Sequence, residues 1–284
     1  MAYDKRPLGR YLLIGHELNR LRDRRGLTLK AAARQSHHSP SWMSTVENGL
    51  AAIRSDDLKG LLLLYDCPDA DLNESLIHLA ERGRLPSWWR AFEGMANAAA
   101  VHYASLEADA SRIFSFQLQL IPGLLQTPEY TRAVTSMNPD ADSTLHEATA
   151  ELRKQRQQVL HGPDPTIFQA VISESVFHLL VGGSQVMREQ AAHLHELAQR
   201  PNIELRIIPH GGGVHPGVDG AFTILTFKPR GRLNVAVPAS AAESRFLVQE
   251  ADRRLYADIA RQVIDAALPP EPSLELLARI ASAL

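Results

Sequence analysis

The 284-residue chain has one cysteine, Cys67. No intrachain disulfide can form, and a lone thiol beside a leucine run reads as a small core residue. Long apolar runs are also missing. The longest, Leu61–Tyr65, falls far short of the roughly 18–20 residues that cross a bilayer, so no membrane partner is expected. The first ten residues carry charge and a proline but no apolar stretch. No signal peptide is expected, and a cytoplasmic location is.

Several chemical signatures are lacking. The triple glycine Gly211, Gly212, Gly213 precedes a strand pattern rather than a helix, and no Gly-Lys-Ser/Thr follows. The helix dipole that would hold a phosphate is therefore missing. Ser173-Glu174-Ser175 lacks the glycine frame of a nucleophile elbow. His193 and His195 stand about 200° apart on a helix. His210 and His215 flank the glycines with no cysteine or acid nearby in sequence to complete a zinc set. No enzyme activity, no cofactor and no metal site is expected. A mobile loop or sharp turn is the expected use of residues 211–217, as a surface for an effector or partner.

What is present is an ordinary globular composition, 45% hydrophobic and 22% charged, in a length that suits two domains. The charge is polarised. Residues 1–60 hold eleven Lys/Arg against six Asp/Glu, a balance of +5 that leaves −7 for the remainder. A basic head on an acidic body suits phosphate binding, with an affinity that falls with salt.

The head reads as helices. Ile14, Leu18 and Leu21 recur on one helical face, which Gly26 ends. Thr28 caps a short second helix to about Gln35, lined by Leu29, Ala32 and Ala33. His37-His38 is a turn. Ser39 then caps a third helix with Pro40 at its first position, where a missing N–H costs nothing. Met43 and Val46 form its inward stripe, and Gly49 stops it. The opposite face carries Ser41, Ser44, Thr45 and Asn48, with Trp42 at its edge. Such a face is small and polar enough to enter a major groove. Ser55 is expected to cap a fourth helix, with Leu58, Leu61 and Leu62 inward, and a fifth follows over about 72–82.

The run from Leu27 to Gly49, and above all Met43-Ser-Thr-Val-Glu-Asn-Gly49, resembles the repressor-type helix-turn-helix of the XRE family. That resemblance implies base contacts from Pro40, Ser41 and Thr45, and the polar face adds Trp42 and Ser44 to the expected base-contacting set. The resemblance also implies phosphate or supporting roles for Asn48, Thr28 and Lys30, and a pairing of Arg22 with Glu47. Leu29, Ala31 and His37 stand where the family commonly has Gln, Glu and Gly. With short readers at Ser41, Ser44 and Thr45, modest intrinsic affinity is expected, and specificity that leans on dimer spacing or a partner.

An Arg82–Pro86 linker separates this head from the body, and Trp88-Trp89 reads as a packing anchor between them or as a pair that stacks on a base. Residues 111–120 alternate as a strand with Phe114, Phe116 and Leu118 on its apolar face. Thr127-Pro128 starts a helix. Residues 141–161 form one long charged helix suited to solvent or a dimer seam. Beyond it come strands at 166–172, 202–209, 221–228 and 233–237. A short helix is expected at 173–180, and longer ones at 185–200, 249–267 and 273–283. The fold class is therefore α+β: an all-α head over residues 1–84 and a mixed α/β body over 85–284 with a small sheet.

Leu120–Tyr130, Val181–Gln190, Leu197–Asn202 and His215–Leu225 are similar to a domain of unknown function common in actinobacterial XRE regulators, the WhiJ-like and related antitoxin-type proteins. The resemblance implies an actinobacterial regulator often encoded beside a small partner protein, and the chain is expected to bind double-stranded DNA as a homodimer controlled through its body by such a partner. Two other readings stay open. One is control by a small-molecule effector held at His210–His215. The other is a protein-interaction module whose head no longer binds DNA.

Overall fold

The computed structural model describes residues 9–82, 88–137, 143–227, 233–239 and 245–284. Helix α1 (Gly9–Arg24) buries Leu13, Ile14, Leu18 and Leu21. Helix α2 (Leu29–Gln35) is capped by Thr28, whose hydroxyl accepts the Ala31 N–H at 3.1 Å. Its Ala32 and Ala33 are fully buried, and their small size lets α3 (Pro40–Glu47) pack close. His37 makes the turn at φ 58°, a left-handed value that histidine tolerates better than most side chains. Ser39 accepts the Trp42 N–H at 3.1 Å, so the serine cap with proline behind it forms as the sequence requires. Helices α4 (Ser55–Leu64) and α5 (Ala70–Arg82) close the bundle through Leu58, Leu61, Leu72, Leu76 and Leu79. Ser55 is not the cap. Arg54 holds that position without a side-chain bond, and Ser55 is the first helical residue. Asp56 and Asp57 in the first turn supply the negative charge that a helix start favours.

The body contains α6 (Ala98–Glu107), α7 (Pro128–Thr135), α8 (Ser143–Arg156), α9 (Ser184–Leu197), α10 (Glu250–Ala266) and α11 (Pro270–Ala283). Its strands are β1 (Ala110–Gln117), β2 (Ile167–Ser173), β3 (Ile203–Ile208), β4 (Phe222–Phe227) and β5 (Asn234–Pro238). They form one five-stranded sheet in the order β3-β2-β1-β4-β5. β1, β2 and β3 are parallel, while β4 runs antiparallel to β1 and to β5. The parallel pairs need crossovers, which is why helices alternate with these strands. The chain is thus α+β.

Side chains alternate between two covered faces of the sheet. Phe114, Phe116, Val171, Ile208 and Phe222 meet α10 through Ala260 and Val263. Ile113, Phe168, Ala170, Ile172, Leu205, Ile207 and Leu225 join the larger core, where α9 and α11 pack. The expected helix over 141–161 starts within residues 141–142, which lie outside the described ones. Its described part is not a single helix: it tightens into a 3-10 turn at Gln157–Leu160. Nor does it face only solvent. Arg156 reaches Glu107 at 2.6 and 3.0 Å, and Arg153 reaches Gln126 at 2.6 Å. The short helix expected at 173–180 is a 3-10 turn over Glu174–His178.

The linker expected at 82–86 lies largely in residues 83–87, outside the described ones. On its far side Trp89 is buried, with the Arg10 guanidinium 5.5 Å from its ring centroid. Arg10 also pairs with Asp109 at 2.7 Å. A second tie runs from Arg253 on α10 to Glu17 on α1, at 2.9 Å. Both contacts reach the body through α1.

Candidate nucleic-acid interface

The candidate surface is the outer side of α3. Met43 and Val46 anchor its inner side, fully buried against the rest of the head. Pro40 and Ser41 are exposed at its start, Ser44 and Thr45 half-exposed along it, and Asn48 exposed at its end. Two of the polar side chains are held against the helix. The Thr45 hydroxyl donates to the Ser41 carbonyl at 2.9 Å, and the Asn48 amide donates to the Ser44 carbonyl at 2.7 Å. Trp42 is half-buried and lies flat on His38, with ring centroids 3.7 Å apart and planes at 15°. That stack fixes the indole at the rim of the surface. Thr28 and Lys30 are exposed at the start of α2.

Behind α3, Arg22 and Glu47 pair as expected. The guanidinium donates to both carboxylate oxygens, at 2.7 and 2.9 Å. Both residues are 8% exposed. A fork-on-fork pair of this kind fixes orientation as well as charge. Its hydrogen bonds to Glu47 raise the Arg22 pKa above the ordinary arginine value. Two further partners were not foreseen. Asn19 donates to Glu47 at 2.9 Å, and Arg22 also donates to the Leu27 carbonyl at 2.8 Å. Asn19 stands three residues before Arg22, one helical turn away on the same face, which was the available signal. The ensemble locks α1, α3 and the chain after α1 into one rigid corner.

The body holds a second feature that periodicity alone left without a role. The polar side of β1 faces a cavity. Ser115 and Gln117, with Thr223 of β4, line a cavity of about 360 Å³. Tyr103, Glu107, Arg153 and Arg156 also line it. Burial, with the like charge of Arg156 beside it, pulls the Arg153 pKa down to about 10. The Arg153 Nε is buried and makes no hydrogen bond among the described residues.

The loop singled out in the sequence lies elsewhere. His210, Gly211, Gly212 and Gly213 are exposed, and His215 is half-buried. The His215 ring accepts the Gly217 N–H at 3.2 Å and meets Phe116 edge-on. His210 turns instead toward Glu174, whose carboxylate accepts its backbone N–H at 2.8 Å. His178 lies beside the same carboxylate.

Two family models match the chain. A model described as a helix-turn-helix domain matches residues 13–75. A model described as a domain of unknown function, DUF5753, matches residues 101–279. No curated protein and no solved structure matches the chain. No helix among the described residues is long and apolar enough to cross a membrane. The second match spans more than half of the chain, which belongs to the DUF5753 family and carries a helix-turn-helix head of the kind found in DNA-binding regulators.

Proposed function

We propose that this member of the DUF5753 family is a sequence-specific transcriptional regulator that reads double-stranded DNA with α3. One observation carries the reading: a short helix with a small polar outer face, braced from behind by the buried Arg22–Glu47 pair. Pro40, Ser41, Trp42, Ser44 and Thr45 meet base edges. Asn48, Thr28 and Lys30 meet the phosphates. Glu47 sits near the groove, and Arg22 cancels the charge that would otherwise repel the backbone. Short readers give modest affinity per head, so the regulator works as a homodimer whose two α3 helices enter major grooves about 34 Å apart. Residues 1–84 act as the DNA-binding unit, and residues 85–284 dimerise and receive the controlling signal.

Duplex binding to the chain's own upstream region, over a salt series, tests this. The wild type is expected to lose about a thousandfold or more in affinity between about 50 and 200 mM salt. Thr45→Arg, on the half-exposed face, is expected to leave the fold intact and to change which site is preferred. No binding at low salt, by the chain alone or with a neighbour-encoded protein, sinks the reading. The chain would then be a protein-interaction module.

The signal reaches the body from a small neighbour-encoded protein of the antitoxin type, or from a small molecule. The cavity favours a small molecule with a carboxylate or phosphate group. Its charged lining is Arg153, Arg156 and Glu107, and Arg153 Nε has no acceptor among the described residues. Screening such metabolites by melting shift is expected to give about 2.7 kcal/mol of stabilisation at a hundredfold excess over Kd. Arg153→Met is expected to stay folded and to lose the shift. A shift with the neighbour-encoded protein but with no metabolite assigns control to the protein.

A further inference from the structure

We infer that Glu174, His178 and His210 form a binding site for a divalent transition-metal cation, with zinc the best match. One ligand atom from each lies within 4.8 Å of the other two. Glu174 Oε1 is 3.6 Å from His178 Nε2 and 3.7 Å from His210 Nδ1. Ligands about 2.0–2.1 Å from a tetrahedral zinc are spaced by about 3.3–3.4 Å, so an inward shift of a few tenths of an ångström closes those two spacings. The His178 and His210 side chains, 49% and 59% exposed, have room to make that shift.

The carboxylate is already aimed. Its other oxygen, Oε2, accepts the His210 backbone N–H, which leaves Oε1 facing the two imidazoles. The imidazoles are stacked, with centroids 5.2 Å apart and planes at 25°, so they stand side by side over one carboxylate. The turn that carries Glu174 and His178 is pinned by Ser175, which bonds Ser173 and the Leu118 carbonyl. Support behind the ligands is what a metal site needs to hold its geometry.

The donor set selects the ion. Two imidazole nitrogens and one carboxylate suit zinc, cobalt or nickel, whereas magnesium and calcium prefer all-oxygen sets. Three protein ligands leave the fourth position open to water or an incoming group. The site sits just beyond the carboxyl ends of the neighbouring parallel strands β2 and β3, the edge at which open α/β sheets hold ligands. A metal there ties the turn after β2 to the loop after β3. That loop runs into Pro216–Asp219, on which α10 packs, and α10 carries the Arg253 that reaches α1.

The claim stands apart from the DNA reading and is tested without DNA. The metal-stripped full chain is titrated with zinc chloride in a calorimeter, with magnesium chloride as control. One saturable equivalent of zinc and none of magnesium is expected. The double variant His178→Ala, His210→Ala is expected to lose that equivalent while melting at the wild-type temperature in chelator, because both rings are exposed. Glu174→Gln is expected to weaken zinc by at least about tenfold, a loss that even an outer-shell partner can cause. In the cobalt-loaded chain, visible absorption is expected to change on His178→Ala alone. The inference is overturned if the wild type takes up no zinc, or if the double variant binds it as tightly as the wild type.

Discussion

Arg22→Ala is expected to lower the stability of the head by about 3–5 kcal/mol, the usual result of stripping one partner from a buried ion pair. The alanine leaves the Glu47 carboxylate with Asn19 as its remaining hydrogen-bond donor among the described residues, at 2.9 Å. It also leaves the Leu27 carbonyl without the Arg22 bond. Total stabilities of about 5–15 kcal/mol are usual, so this one change removes a large share. Hydrogen exchange of the α1 and α3 amides measures it, because local opening shows there first. The double variant Arg22→Met, Glu47→Leu separates the pair's contribution to stability from its role on DNA. Replacing both charges by apolar groups of similar size is often neutral or stabilising, so exchange protection is expected to return. Duplex binding is expected to be lost in both variants, since neither corner presents the cation that the Arg22–Glu47 pair supplies. Protection that stays at the wild-type level in Arg22→Ala would show that the pair does not hold the corner.

The third helix of this corner was legible in the sequence because its signals are local, whereas the Arg22–Glu47 pairing, 25 residues apart, came from the family resemblance. Ser39-Pro40, the Met43 and Val46 stripe and Gly49 all lie within eleven residues, so capping and periodicity act on the same short segment. Ser55 shows the limit of such signals. The residue type suited a cap, but the chain entered the helix one residue earlier, and the negative charge of Asp56 and Asp57 serves an N-terminus without a serine bond. The body was legible as alternating strands and helices, and less so in what its charges do. Arg156 on α8 reads as a solvated charge because its partner Glu107 lies 49 residues away. Arg153 lies 27 residues from Gln126. Periodicity says which side of a helix is polar, but not whether another polar side is folded against it. Sequence proximity sets His210 beside His215 rather than Glu174 for the same reason. His215 is near in sequence, whereas Glu174, 36 residues back, is brought to it by the parallel pairing of β2 and β3.

Gly49→Ala is expected to disrupt the head, and a matched glycine shows why. Gly49 and Gly26 both have φ +69°, a left-handed conformation that costs a residue with a Cβ about 1–2 kcal/mol. Around Gly26 a Cβ would find open space. At Gly49 it would stand 2.6 Å from the Leu12 nitrogen, 2.7 Å from the Leu12 Cα and 2.9 Å from the Tyr11 carbonyl carbon. These are backbone atoms of α1 and cannot rotate away. Overpacking of this sort adds about 1–3 kcal/mol or more. Gly15 faces the same contact from the other side, where a Cβ would meet the Val46 and Glu47 carbonyl oxygens at 2.5 and 2.6 Å. The close approach of α1 to the end of α3 therefore sets the angle at which α3 is presented. Gly26→Ala is expected to lose about 1–2 kcal/mol and to keep duplex binding. Gly49→Ala is expected to lose at least about twice as much, and to lose duplex binding at temperatures where the chain remains folded, because α3 is pushed off its seat. Denaturation and duplex titration of the two variants side by side read both effects. Equal losses in the two would mean that backbone conformation alone accounts for Gly49, and that the contact with α1 does not orient α3.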